Sequence, residues 1–372
     1  MAELFERTGI KGMELANRFV RSATWEGLAA RDGSVTSRLT EMMVELARGE
    51  VGLIITSYAF VSPEGRSNTT QLGACEDRLT AGLREMTEQV HAAGGKIALQ
   101  LVHGGCASNP GVTGLEPLGP SEGSGQNVRC RAAGTKEISR IISDFSRASG
   151  RAKEAGFDAV QLHAAHGFLL SQFLSPAFNR RTDDYGGPLE NRARLLLEVV
   201  KGVREAVGPA CPVLVKINSE DFLDAGMTRQ ESVEVSSMLE EASVDAVEFS
   251  GGTVISPEKL SPVRPGRLRT PEEEVYYREA ALLYKKKVSI PLILVGGIRS
   301  LEVAEGLVHG GTADYISMSR PLICEPGLVK RWRGGDRRPS ECVSDNACFA
   351  PASDGRGLYC VTMEKKRKKP RG

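Results

Sequence analysis

Two histidines, His163 and His166, stand three residues apart in the stretch HAAHGFLLSQ, in a chain of 372 residues that has only five histidines. Such a pair can do three things. As metal ligands they need a third and a fourth partner, usually with a carboxylate or thiolate among them, and the neighbouring sequence completes no such set. As core residues they would be satisfied rings, the ordinary fate of an isolated histidine. As paired N–H donors they can hold a carbonyl oxygen and stabilise the enolate-like charge that develops when hydride adds to a conjugated carbon. Their place where an apolar run ends, just before Gly167, favours donors.

A second constellation lies towards the C-terminus. Gly296 and Gly297 follow one apolar run, and Ser319 and Arg320 follow the next. The glycines let backbone N–H groups approach a phosphate, and the arginine supplies a fork of charged donors. Turn glycines and a surface arginine are the plain alternative. Their occurrence after two successive runs favours phosphate.

These residues need elements to hold them. Eight short runs rich in Val, Ile and Leu read as strands buried on both faces: NRFVRSAT, VGLIITSY, KIALQLVH, FDAVQLHA, PVLVKINS, DAVEFSG, PLILVGG and ADYISMS. Helical patterns separate them. DRLTAGLREMTEQVHAAGG puts Leu79, Leu83, Met86 and Val90 on one stripe; GPLENRARLLLEVVKGVREAVG puts Pro188 at the first helical position and Leu195, Leu196, Val199, Val200 and Val203 on its apolar face. TRQESVEVSSMLEEASV and TPEEEVYYREAALLYKKKV read as further helices. Eight βα units in series predict an α/β fold of the (β/α)₈ TIM-barrel class over residues 1–335. A Gly-, Pro- and Ser-rich insertion at 103–134 reads as a long loop, and residues 336–372 form a short C-terminal, cysteine-bearing extension with a basic end.

In such a barrel the chemistry sits at the C-terminal ends of the strands. That rule selects Ala23, Thr24 and Trp25; Ser57 and Tyr58; Gln100 and His103; His163 and His166; Lys216 and Asn218; Ser250 and Gly251; Gly296 and Gly297; and Ser319 and Arg320. Lys plus Arg number 48 against 47 for Asp plus Glu, a formal charge of +1. That balance argues against nucleic acid or an anionic membrane as partner and leaves small molecules and a homo-oligomer. No apolar run approaches the roughly 20 residues of a membrane span, and the charged N-terminal segment has no signal-peptide core. A cytoplasmic enzyme is expected. Its eight cysteines (75, 106, 130, 211, 324, 342, 348, 360) are then expected as thiols or metal ligands and not as disulfides.

The stretch HAAHGFLLSQFLSPAFNRRTDDYGGPLENR resembles the fingerprint of the old yellow enzyme family of FMN-dependent NAD(P)H:flavin oxidoreductases, as do NRFVRSAT, GLIITSYAFVSPEGR, IALQLVHGG, VGGIRS and SMSRPLI. The resemblance runs from Leu4 to Arg333. It implies the barrel fold, FMN as cofactor, NAD(P)H as electron donor, and hydride transfer to an α,β-unsaturated carbonyl, quinone or related acceptor. It places Ser22, Ala23, Thr24, Trp25 and Tyr58 on the isoalloxazine wall, Gln100 at the flavin pyrimidine edge, Lys216 beside flavin N1, and Gly296, Gly297, Ser319 and Arg320 at the phosphate. His163 and His166 match the pair that binds the substrate carbonyl. An amine or ether dehydrogenase on the same barrel, or a barrel that binds FMN or another phospholigand without turnover, are the other readings.

Three departures stand out. Trp25 replaces the usual Thr or Cys. Phe168 replaces the tyrosine that donates a proton in alkene reduction. In the extension, CVSDNACFAPASDGRGLYC resembles the [4Fe-4S] segment of larger relatives, with Cys342, Cys348 and Cys360 in place but Asp345 at the second position. A carboxylate suits iron–sulfur chemistry less than a thiolate, so no complete cluster is expected.

Overall fold

The computed structural model describes residues 3–123 and 129–368; part of the 103–134 insertion and the end of the basic tail lie outside the described residues. All eight expected runs form strands: β1 (Phe19–Arg21), β2 (Leu53–Phe60), β3 (Ile97–Val102), β4 (Ala159–Ala164), β5 (Val213–Asn218), β6 (Ala246–Ser250), β7 (Leu292–Val295) and β8 (Tyr315–Met318). They pair in parallel and close as β6-β7-β8-β1-β2-β3-β4-β5. Every residue of β3, β4, β5 and β6 is buried, as a wall covered by helices on one side and filled on the other requires.

Side chains two apart on a strand share a face, and this sorts the barrel interior into levels. Val20, Leu53, Ile55, Ala98, Leu214, Ile293 and Tyr315 form an apolar floor. An N-terminal hairpin, Thr8–Ile10 with Met13–Leu15, adds Ile10, Met13 and Leu15 to that floor; its strands of three residues are too short to register as a periodic signal. One step higher the inward positions turn polar, and they carry the site.

The outer helices are α1 (Ser37–Arg48), α2 (Thr80–Ala92), α3 (Thr135–Glu154), α4 (Leu189–Val207), α5 (Arg229–Glu241), α6 (Arg278–Lys287), α7 (Leu301–His309) and α8 (Arg320–Cys324). The expected apolar stripes of α2 and α4 are buried. Pro188 precedes α4 as its cap instead of opening it, because its ψ of 156° is extended. α6 starts at Arg278 and not near Thr270. The Glu274 carboxylate accepts the backbone N–H of Arg299 (2.8 Å) and of Ser300 (3.1 Å), and Val275 has a φ of 64°. These contacts hold the segment out of the helix and leave Tyr276 and Tyr277 facing inward.

The insertion after β3 is more ordered than a plain loop. It contains helical turns at Gly105–Ala107 and Pro110–Thr113 and a two-residue parallel pairing of Leu118–Gly119 with Arg131–Ala132. That pairing brings Cys106 and Cys130 to a Cα separation of 5.4 Å, and they form a disulfide. The expectation of thiols throughout fails for these two; the other six cysteines are not disulfide-bonded. The extension folds back: Cys348, Ala352 and Leu358 cluster with Trp25, Met42, Ile323 and Phe349. Among the described residues no helix is long and apolar enough to cross a membrane.

Candidate active site

The strand ends open into one cavity of about 450 Å³, within the usual range for a small-molecule or cofactor site. It is lined by Ser22, Ala23, Thr24, Trp25, Tyr58, Gln100, His163, His166, Phe168, Lys216, Gly296, Gly297, Ser319 and Arg320. Every barrel residue that the resemblance assigns a role is thus gathered in one place.

Strand register explains the gathering. Tyr58 pairs with Gln100 and Gln100 with Gln161 on β2, β3 and β4. One pleat higher, His163 pairs with Lys216, which pairs with Glu248 on β6. Gln161 and Glu248 were not singled out from the sequence, yet they anchor the floor of the site. Glu248 is fully buried and accepts from Ser22 Oγ (2.7 Å), Gln161 Nε2 (2.9 Å), Ser317 Oγ (2.9 Å) and Lys216 Nζ (3.3 Å). Lys216 also donates to Ser22 Oγ at 2.6 Å. Burial pulls the lysine below its ordinary pKa, and the Glu248 carboxylate opposes that pull. Gln100 Nε2 donates to Gln161 Oε1 at 2.7 Å, so the belt runs unbroken from Gln100 to Lys216. Beside it, Arg21 and Glu26 form a buried ion pair at 2.7 Å that braces the Ser22–Trp25 turn.

The histidines differ in how they are held. His166 has left-handed backbone, φ 65°, uncommon without glycine. Its backbone N–H donates to Asn218 Oδ1 at 3.0 Å, and its ring Nε2 lies 2.7 Å from Ser250 Oγ. The two rings stand 5.0 Å apart and nearly perpendicular. Burial holds both imidazoles well below the ordinary histidine pKa; Lys216 adds to this for His163, and His163 and then Lys216 add to it for His166. Both are neutral, each with one N–H and one lone pair. Phe168 packs 4.9 Å from His163 and 5.3 Å from Tyr58.

At the other end of the cavity, Gly296 and Gly297 have φ values of 116° and 78°, conformations that favour glycine. A Cβ on either would lie 2.7 Å or less from the Tyr277 or Tyr276 ring. Arg320 lines the cavity, but its Nη1 is committed to Arg264 O (2.8 Å) and Asn346 Oδ1 (2.7 Å). The arginine therefore ties the extension to the barrel as well as facing the site. Arg299 joins the lining, and its motif VGGIRS had drawn attention only for the glycines.

In the extension, Asp345 is exposed, and its carboxylate accepts from Ala347 N (3.1 Å) and Thr362 Oγ1 (2.6 Å). It lines the same small pocket as Cys342, Cys348 and Cys360, and Cys324 from α8 joins that pocket, lying 3.6 Å from Cys360. Among the described residues no three His, Cys, Asp or Glu side chains are placed to hold a metal ion.

A profile of the NADH:flavin oxidoreductase / NADH oxidase family matches residues 3–338. The chain belongs to that family. The old yellow enzyme resemblance is thereby borne out. Among the family's members, an NADH oxidase of Thermoanaerobacter brockii is 38% identical over 353 residues, spanning 92% of this chain and 52% of that protein. An NADPH dehydrogenase of Bacillus subtilis is 32% identical across 88% of this chain and 93% of its own length. The structure of a 2-naphthoyl-CoA reductase with bound 2-naphthoyl-CoA superposes with a TM-score of 0.87 at 28% identity, over 96% of this chain and 56% of that one. The chain thus spans about half the length of some relatives and nearly all of others.

The cavity suits the flavin that the family name carries. Gln100 Oε1, Trp25 Nε1 and His163 Nδ1 are buried polar atoms without a protein partner, a condition that calls for a ligand. An acceptor, an indole donor and an imidazole nitrogen on one cavity match the imide N–H and carbonyl edge of a flavin and a substrate oxygen.

Proposed function

We propose that this chain binds FMN with its ring against Ser22–Trp25 and Tyr58, its pyrimidine edge at Gln100 and Lys216, and its phosphate at Gly296, Gly297, Ser319 and Arg320. The observation that carries the reading is the set of unpartnered polar atoms on the barrel cavity. When bound, the flavin would take hydride from NAD(P)H and pass it to an α,β-unsaturated carbonyl, quinone or related acceptor. His163 and His166 bind the acceptor oxygen and stabilise its developing charge; neutral imidazoles do this by donating N–H. Lys216, backed by Glu248, supplies positive charge at the flavin edge as a point charge. Phe168 and the ring of Tyr58 pack beside His163 and shape the acceptor side of the cavity. Residues 1–335 serve as the catalytic barrel and 336–372 as a packed extension that carries no complete [4Fe-4S] cluster.

The purified protein is expected to show flavin absorbance bands. Stopped-flow mixing with NADH or NADPH should bleach them, and an enone or quinone should restore them. A colourless protein that takes up no added FMN would refute the reading. Arg320→Ala removes a charge-assisted contact worth about 1.5–3 kcal/mol and should weaken FMN binding about 10- to 150-fold, measured by equilibrium dialysis. Unchanged retention would take Arg320 out of the site. Iron and sulfide analysis after anaerobic purification should give well under one iron per chain, and four would overturn the account of the extension.

A further inference from the structure

Alkene reduction needs a proton as well as a hydride, and Phe168 has none to give. Three tyrosines line the cavity: Tyr58, Tyr276 and Tyr277. Tyr277 donates its hydroxyl hydrogen to Gly251 O at 3.2 Å, and the Tyr276 ring lies under the Arg264 guanidinium at 4.5 Å. Tyr58 differs from both. Its ring touches both Phe168 (5.3 Å) and His163 (6.1 Å), which places it beside the carbonyl clamp. Its oxygen accepts a hydrogen bond from Asn68 Nδ2 at 3.0 Å, so its own hydrogen is directed away from that amide.

Resting on the functional reading above, we propose that Tyr58 is the catalytic acid that protonates the substrate α-carbon, standing in for the tyrosine missing at position 168. The β-carbon gains hydride, and the π electrons of the alkene form the new C–H bond at the α-carbon as the Tyr58 O–H bond breaks. The carbonyl oxygen is held meanwhile by His163 and His166, and the phenolate regains a proton from water. The surroundings suit that cycle. Burial raises the phenol pKa, with the Glu26 carboxylate adding to the rise, so the proton is held until an enolate takes it; the Asn68 amide opposes the rise and steadies the phenolate left behind. Asn68 is itself fixed. Gln71 Oε1 accepts its backbone N–H at 3.2 Å, and Gln71 Nε2 donates to Tyr58 O at 3.2 Å. The donor and its stabiliser are thus locked to the same strand end.

The test compares two acceptors on the photoreduced FMN-loaded enzyme. 2-Cyclohexenone requires protonation at carbon; 1,4-benzoquinone takes its protons on oxygen, where exchange with water is fast. Tyr58→Phe should slow reoxidation by the enone about 10²–10⁴-fold and slow the quinone at least tenfold less (about one decade being the smallest resolvable gap we require). The solvent deuterium isotope effect on the enone step should change with the variant. Asn68→Ala, which keeps the phenol, should give a smaller loss in the same direction. Tyr58→Phe/Phe168→Tyr, which returns a phenol to the neighbouring position, should recover enone reduction. Equal losses on both acceptors, or no rescue by the double variant, would make Tyr58 a wall residue and overturn the proposal. A wild-type enzyme whose reduced flavin the quinone reoxidises but no enone does would instead refute the enone branch of the functional reading, before any variant is examined.

Discussion

The variant His163→Ala/His166→Ala is expected to remain yellow and to lose enone reduction by about 10³-fold or more, since removing one preorganised donor to a developing oxyanion typically costs 10²–10³-fold. Affinity for phenols, which mimic the enolate, should fall with it, as read from the shift of the flavin band on titration. Alanine at 166 adds a backbone cost of about 1–2 kcal/mol for its left-handed conformation, small against a typical total stability of about 5–15 kcal/mol. In the wild type, burial depresses both imidazole pKa values. The neutral clamp therefore persists as pH falls through the ordinary histidine range near 6.5, and enone binding should be nearly flat from pH 8 down to that point. Loss of a stoichiometric metal from the double variant, with phenol binding intact, would sink the carbonyl-clamp account.

The largest effect on stability is expected at Glu248. Glu248→Ala leaves the Lys216 ammonium buried without its counter-charge and strips Ser22, Ser317 and Gln161 of their common acceptor. Breaking a buried pair from one side costs about 3–5 kcal/mol, enough to move a urea unfolding midpoint by about 1 M or more at a slope of about 1–3 kcal/mol/M. The paired replacement Lys216→Met/Glu248→Leu removes both charges and should recover most of that loss, although it discards the cation at the flavin edge. If the pair proves no more stable than the single variant, the hydrogen-bonded belt carries the effect and the ion pair does not.

The sequence made the barrel legible because burial on both faces leaves strands as uninterrupted apolar runs, and the strand-end rule then turned those runs into an address list. Gln161 and Glu248 escaped attention although they were within reach. Each sits two residues before a chosen site residue, His163 and Ser250, and period two puts them on the same inward face. TPEEEVYYREAALLYKKKV has helical composition through Tyr276 and Tyr277; the contacts from Glu274 that break it come from residues about 25 positions away, beyond any local window. The Cys106–Cys130 bridge was missed for a similar reason, since the strand pairing that brings the two together is only two residues long. In the extension, sequence spacing groups Asp345 with Cys342, Cys348 and Cys360; the fold keeps Asp345 on their pocket, bonded to Thr362, and adds Cys324 from α8, which no spacing within the extension could supply.

The backbone at His166 also limits how this enzyme can be re-engineered. A φ of 65° is a seat that glycine, asparagine and aspartate take at little expense and that β-branched residues resist. A saturation library at this codon would therefore return a narrow alphabet, and many of its failures would be failures of chain geometry, unrelated to the acceptor being screened. Position 163, in the regular register of β4, carries no such restriction. Attempts to change which oxygen the clamp grips should diversify 163 freely and offer 166 only the few residues that can sit left-handed.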